Sequence, residues 1–197
     1  MKRIILTVAA LAAIITGGVA AAAPAMASPN PNSTIEVTSQ AQFDALKAQG
    51  PINKNIDVPA SVSQSDNIWL AWATINGNVT VEGYATMSAD TVNGNVTVQG
   101  PGSYMKLDNY ASHITGNLTV QNSSGIYVGG PYNGSFGNFT QYNGPSQIDG
   151  GLIFTNNTGG LFCGYPLHVN GKFVYTGPSP AFDRTGLSVD GQQFVSG

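Results

Sequence analysis

The chain has one cysteine, Cys163, among 197 residues. An intramolecular disulfide is therefore impossible, and Cys163 is expected to be a buried apolar residue. Charge is scarce as well. Asp, Glu, Lys and Arg together make up 9% of the residues, so Asn, Gly, Ser and Thr must solvate the surface. Basic residues are the scarcest of all: seven Lys and Arg stand against ten Asp and Glu. Without Lys2 and Arg3, which sit at the extreme N-terminus, five remain and the formal charge moves from −3 to −5. Five scattered basic residues are too few to neutralise a phosphate backbone, which makes nucleic acid a poor partner class. The glycine-rich stretch Gly129-Gly130-Pro131-Tyr132-Asn133-Gly134 lacks the Lys-Ser/Thr that a phosphate-binding loop needs, so it reads as turns.

Only one long apolar run exists. Lys2 and Arg3 precede the stretch Ile4 to Ile15, and Ala25-Met26-Ala27 supplies a small-x-small cleavage pattern. Residues 1–27 are expected to be a secretory signal peptide. No cysteine at the cleavage point offers a lipid anchor, and no membrane span is expected after cleavage. Residues 28–197 are expected to form a single secreted, extracellular domain, free or at the cell surface.

What is abundant is repetition. Ile75-Asn76-Gly77-Asn78-Val79-Thr80-Val81-Glu82-Gly83 returns as Val92 to Gly100 and again as Ile114 to Asn122. Weaker copies centre on Gly137, Gly150 and Gly171. Successive central glycines lie 17, 22, 21, 13 and 21 residues apart. A period near 20 that wanders belongs to a solenoid whose strands keep register while its loops vary. Counted from each central glycine, positions −2 (Ile75, Val92, Ile114, Ile148, Val169), +2 (Val79, Val96, Leu118, Phe139, Leu152, Phe173) and +4 (Val81, Val98, Val120, Phe154, Tyr175) are apolar. They share one strand parity and should stack inward. Positions +1 (Asn78, Asn95, Asn117, Asn138) and +3 (Thr80, Thr97, Thr119, Thr140) have the opposite parity and should form outward ladders. The Asn-x-Ser/Thr triplets follow from these ladders. Position +6 is Gly83, Gly100, Asn122, Asn143, Asn156 and Gly177, the two residue types that best tolerate a left-handed backbone. The Gly137 copy is the poorest, with Ser135 and Gln141 at inward positions.

Ahead of the repeats, Ile35-Glu36-Val37 reads as a strand. Ser39 and Gln42 have capping-box spacing, and Gly50-Pro51 is a stop. A helix over about 39–48 is expected, with Phe43 and Leu46 facing the core, as a cap on the open end of the array. Ile52 to Val62, with Pro59 inside, should be an irregular first coil, and clear coils should run over about 68–177. Gly-Pro-Ser-Pro from Gly177 is a break before a last short coil beginning at Leu187.

A capping strand and helix followed by short Val/Ile strands with recurring Gly and Asn turns resembles the right-handed parallel β-helix, or pectate-lyase-like, superfamily of secreted proteins. The resemblance implies an all-β solenoid of about six to eight short coils. It does not imply one activity, because the superfamily includes lyases, hydrolases, tailspikes and adhesins. The acids are Glu36, Asp44, Asp57, Asp66, Glu82, Asp90, Asp108, Asp149, Asp183 and Asp190. No two of them are expected to share an outward column on adjacent coils, as paired-carboxylate hydrolysis would need. Lys106 and Asp108, two apart, could share a face; Lys172 and Arg184 are the other basic candidates for a lyase, which would also want carboxylates on Ca²⁺. His113 and His168 both fall at position −3, about three coils apart, too far to share one metal ion. No catalytic residue, metal or cofactor is expected.

Tyr84, Tyr104, Tyr110, Tyr127 and Tyr132 lie outside the inward columns, in what read as variable loops, beside Asn and Asp. Aromatic faces next to amides and carboxylates suit sugars. Trp72 joins this set, although Trp69 and Trp72 also suit a plug beneath the cap. The Thr column suits ice less well, since Asn rather than Thr occupies the second column. The expected function is a non-catalytic structural or glycan-contacting module at a glycan or cell-wall surface. The alternatives are a small polysaccharide-active enzyme and a protein that self-associates through its solenoid ends.

Overall fold

The structure is a computed structural model. It describes residues 33–108, 111–128, 145–163, 166–177, 182–183 and 186–196. The leader at 1–27, the Gly137 repeat, Gly129 to Gly134, Tyr110, Tyr132 and Arg184 lie outside the described residues.

The chain winds as a parallel β-solenoid whose turns each contribute to three sheets. The first sheet has eight strands, from Thr34–Glu36 to Gln193–Ser196. The second has six short strands, from Thr74–Ile75 to Leu187–Val189. The third has six, from Ile68–Ala71 to Phe182–Asp183. Each strand pairs in parallel with its counterparts one turn away.

The apolar columns account for this winding. Val79, Val96, Leu118, Leu152 and Phe173 stack in register and are wholly buried. Val81, Val98, Val120, Phe154 and Tyr175 form the neighbouring file, in which the Phe154 and Tyr175 rings stack with centroids 5.2 Å apart. Ile75, Val92, Ile114, Ile148 and Val169 fill the corner facing the second sheet. The third sheet adds Ile68, Ala85, Met105, Ile126 and Leu161. Cys163 is fully buried among these inward side chains.

The central glycine column has a steric cause. A Cβ on Gly116 would stand 2.6 Å from the Gly94 carbonyl oxygen, and one on Gly150 2.6 Å from that of Gly116. Coils at strand spacing leave no room there. The +6 column has a conformational cause. Gly100, Asn122, Asn156 and Gly177 all have positive φ. Gly83 departs from this: its φ is ordinary, and the first coil's backbone crowds it instead.

The coil count differs from the sequence reading at one place. His113 pairs directly with Gln147, and Leu118 with Leu152. The coil at Gly116 therefore touches the coil at Gly150, and the Gly137 copy has no place between them. Ser135 and Gln141 explain this, because a coil needs hydrocarbon at those inward positions. The Thr column consequently runs Thr80, Thr97, Thr119 and then Ile153 and Val174.

The helix spans Gln40–Lys47, with Ser39 as N-cap accepting the Gln42 N–H. The reciprocal bond lands one residue early: Gln42 Oε1 accepts the Thr38 N–H at 3.0 Å rather than that of Ser39. Phe43 is buried and Leu46 packs against the core. The helix also closes an exposed sheet edge. Gln40 Oε1 accepts the Trp69 N–H at 2.7 Å while its Nε2 donates to the Trp69 carbonyl at 3.1 Å. Lys47 Nζ donates to the Ala71 carbonyl at 3.0 Å. One side-chain amide thus stands in for a missing neighbouring strand. The expected irregular first coil contains a regular strand, Asn55–Val58, and a 3₁₀ turn, Gln64–Asp66, follows it.

Candidate functional site

Strand alternation fixes what the third sheet shows to solvent. Its inward file holds Ala85, Met105 and Ile126, so the residues on either side point out. One row of outward parity runs Trp69, Thr86, Lys106 and Tyr127 across four consecutive strands and continues to Phe162 on the next. Within it Thr86 is buried, its hydroxyl bonded to the Asn67 side chain. A second row places Tyr84 opposite Tyr104, with ring centroids 5.9 Å apart and planes tilted by 35°. In a third, Asp108 lies beside Ser88, and its Oδ1 is 3.0 Å from Lys106 Nζ.

Three of the tyrosines singled out in the sequence, Tyr84, Tyr104 and Tyr127, therefore come together. They do so on strands, not in variable loops, because each falls at outward parity within a strand of the third sheet. Tyr110 and Tyr132 are not described. Trp69 and Trp72 are not a buried plug; they are 50% and 60% exposed. The cap uses the Trp69 backbone and leaves the indole outside. Trp72 stands on the turn leaving the sheet with φ 52°, and Ala89 repeats this left-handed geometry with φ 56°.

Burial and the neighbouring Tyr127 and Tyr84 push the Tyr104 phenol up to about 12. It thus stays protonated and able to donate at neutral pH. Lys106 and Asp108 neutralise one another. The face offers aromatic surface, hydroxyls and one internally balanced ion pair.

Other groupings lie elsewhere. His113 Nε2 is 2.8 Å from Asp149 Oδ2, and His168 Nε2 is 3.0 Å from Asp190 Oδ2. These two acids each precede a glycine at a turn and also bind imidazoles. Gln147 stands between the histidines in the same row. They are thus two coils apart rather than three, roughly 10 Å at strand spacing, which still exceeds the span of one zinc ion. Bonding to His113, more than any other influence, holds the Asp149 carboxyl below its ordinary value.

The expectation that no acids share an outward column fails at the first two strands. Glu36 pairs with Asp57. The repeat alignment began at Gly77 and so never included these strands. Burial, then Glu82, then Glu36 raise the Asp57 carboxyl. Glu36 and Asp57 lie on the first sheet, and Glu82 follows its strand Val79–Val81, two residues before Tyr84.

The asparagine ladder is present with a different bonding pattern. Each side-chain oxygen accepts the backbone N–H of the next coil: Asn55 from Asn78, Asn78 from Asn95, Asn95 from Asn117, and Asn117 from Gly151, at 2.7–2.9 Å. Amide-to-amide bonds appear in the preceding column, Asn93 to Asn76 to Asn53, each 2.7 Å. Gln121, Gln99 and Glu82 form a third file.

Asp90 is almost wholly buried at the turn between the third and second sheets. Its two carboxylate oxygens accept the Ala73 and Ser88 N–H groups, each at 2.9 Å. No periodicity marked it, since it belongs to a corner and not to a strand column.

No family model, curated protein or solved structure matches the chain.

Proposed function

We propose that the chain is a small non-catalytic member of the right-handed parallel β-helix, pectate-lyase-like, superfamily. In this reading it is exported by its leader and contacts glycans or cell-wall surface with the outer face of its third sheet. The observation that carries the reading is the gathering of Tyr84, Tyr104, Tyr127 and the exposed Trp69 around Lys106 and Asp108. Ring faces pack against sugar C–H surfaces while hydroxyl, ammonium and carboxylate groups bond to sugar hydroxyls. Glu36 and Asp57 lie on a different sheet from these aromatics, and Asp108 on the face is paired with Lys106. This favours binding without turnover, since hydrolysis needs two carboxyl groups converging on one bond.

A glycan array followed by calorimetry tests this. Trp69→Ala is expected to weaken binding about tenfold, about 1.4 kcal/mol, with an unchanged melting temperature. Reducing-sugar and unsaturated-product assays on bound glycans are expected to stay at background. Turnover lost in Glu82→Gln would replace this reading with that of a polysaccharide-active enzyme.

Self-association has one observation in its favour. Among the described residues, the last strand of the first sheet pairs on one side only, and Phe194 and Val195 there are 52% and 51% exposed. Size-exclusion chromatography at high concentration checks it. A dimer that becomes monomeric in Phe194→Lys supports the reading, and a monomer throughout removes it.

A further inference from the structure

We infer that the third sheet takes a linear, uncharged, β-1,4-linked glycan laid along the solenoid axis, with one sugar ring over each strand. The inference rests on the glycan-contacting reading and adds a ligand class, a direction and a length to it.

The direction follows from where the aromatics lie. Along any one strand of this sheet the outward side chains are few, and the aromatic succession crosses strands. Trp69, Lys106 and Tyr127 share a row with the buried Thr86, the row continues to Phe162 on the following strand, and Tyr84 and Tyr104 occupy the adjacent row on the second and third strands. Neighbouring strands are about 4.8 Å apart, so Trp69 and Tyr127 are separated by roughly 14 Å along the axis. An extended chain of equatorially 1,4-linked pyranoses advances by close to one strand spacing per ring. Such a chain stays in step with the sheet over four strands. An α-1,4-linked glucan coils and leaves the row. The Tyr84 and Tyr104 rings, 5.9 Å apart, repeat at nearly the same interval.

The charge follows from Lys106 and Asp108. The ammonium is committed to the carboxylate at 3.0 Å, so the face presents balanced charge to an occupant. A polyuronate would place a carboxylate on every ring against one cation that already has a partner, and near the Asp108 carboxylate. A neutral chain meets neither penalty. Its hydroxyls can accept from Lys106 and the Tyr104 phenol and donate to Asp108.

Calorimetric titration of the full chain with cello- and chito-oligosaccharides of two to six units tests this. Maltohexaose and an oligogalacturonate serve as comparators. Affinity is expected to rise with each added unit from two through four. The two comparators should bind at least tenfold more weakly than the four-unit ligand. Whichever of the two β-1,4 series binds more tightly tells a plain glucan from an N-acetylated one, and either supports the inference. Trp69→Ala and Tyr127→Ala, three strands apart in the row, should each weaken the four-unit ligand at least fivefold and spare the affinity for the two-unit ligand. Glycan binding without length dependence, or equal binding of the oligogalacturonate, overturns the axial site and leaves the glycan-contacting reading standing. Absence of binding to any glycan overturns both.

Discussion

Gly116→Val is expected to destabilise the solenoid by about 4 kcal/mol or more, lowering the melting temperature by on the order of 10 °C. The new Cβ would stand 2.5 Å from Asn95 Oδ1 and 2.6 Å from the Gly94 carbonyl oxygen. Neither can retreat cheaply. The carbonyl belongs to the next coil's backbone, and Asn95 Oδ1 is held by the Asn117 N–H at 2.9 Å. Relief requires separating two coils, which breaks backbone bonds on both sides of the glycine. Gly100 provides the contrast. Its φ is 95° and a Cβ there meets nothing within 4 Å. Gly100→Ala should cost only about 1–2 kcal/mol, from left-handed strain alone. Gly100→Asn should be milder still, since Asn122 and Asn156 already hold equivalent places. Urea titration of the three variants checks the order. Equal losses for Gly116→Val and Gly100→Ala would mean that the two glycine columns do not have the separate causes given above.

The two columns show why so much of the fold could be read in advance. Period-2 alternation of Val79, Thr80 and Val81 states which side is buried, and its return at Val96 to Val98 states what stacks on what. Parallel stacking converts a column of letters into a column in space, so inward files and outward ladders needed no further information. The failures share a physical origin. The Gly137 copy kept Asn138, Phe139 and Thr140 but has Ser135 and Gln141 at its other two inward positions, and letters alone did not tell that the coils at Gly116 and Gly150 pair directly. The Glu36–Asp57 pair was missed because those strands carry no central glycine to align on. Tyr84, Tyr104 and Tyr127 were correctly set outside the core, yet their convergence depends on the lateral register of the third sheet. That register is set by loops of unequal length, and no repeat announces it. Corners are harder still. A corner residue answers to backbone groups on two coils at once, and nothing periodic marks it.

Asp90 is such a corner residue, and its replacement should have the second large effect. It accepts the Ala73 and Ser88 N–H groups and encloses the left-handed turn at Ala89, while its own N–H donates to Ser112 Oγ. Asp90→Ala leaves two buried N–H groups without acceptors, a cost of about 1–3 kcal/mol each. Stability should also depend on pH through this residue. Burial raises its carboxyl from 3.8 to about 7, against the opposing influence of the two N–H bonds and Lys47. The folded chain therefore holds the proton more tightly than the unfolded chain does. The resulting stabilisation is complete below pH 3.8 and is lost as pH rises through about 7. The interval corresponds to a contribution of about 4 kcal/mol. Asp57, also raised, adds in the same direction. Asp149, lowered by its bond to His113, acts in the opposite sense but is exposed and contributes little. Urea unfolding at intervals from pH 4.5 to 8 is expected to show free energy falling as pH rises. Asp90→Asn, which cannot ionise and turns an amide N–H toward a backbone donor, should be less stable throughout and show a flatter profile. A wild-type stability that climbs between pH 5 and 7, or a slope that Asp90→Asn retains in full, would place the buried proton elsewhere.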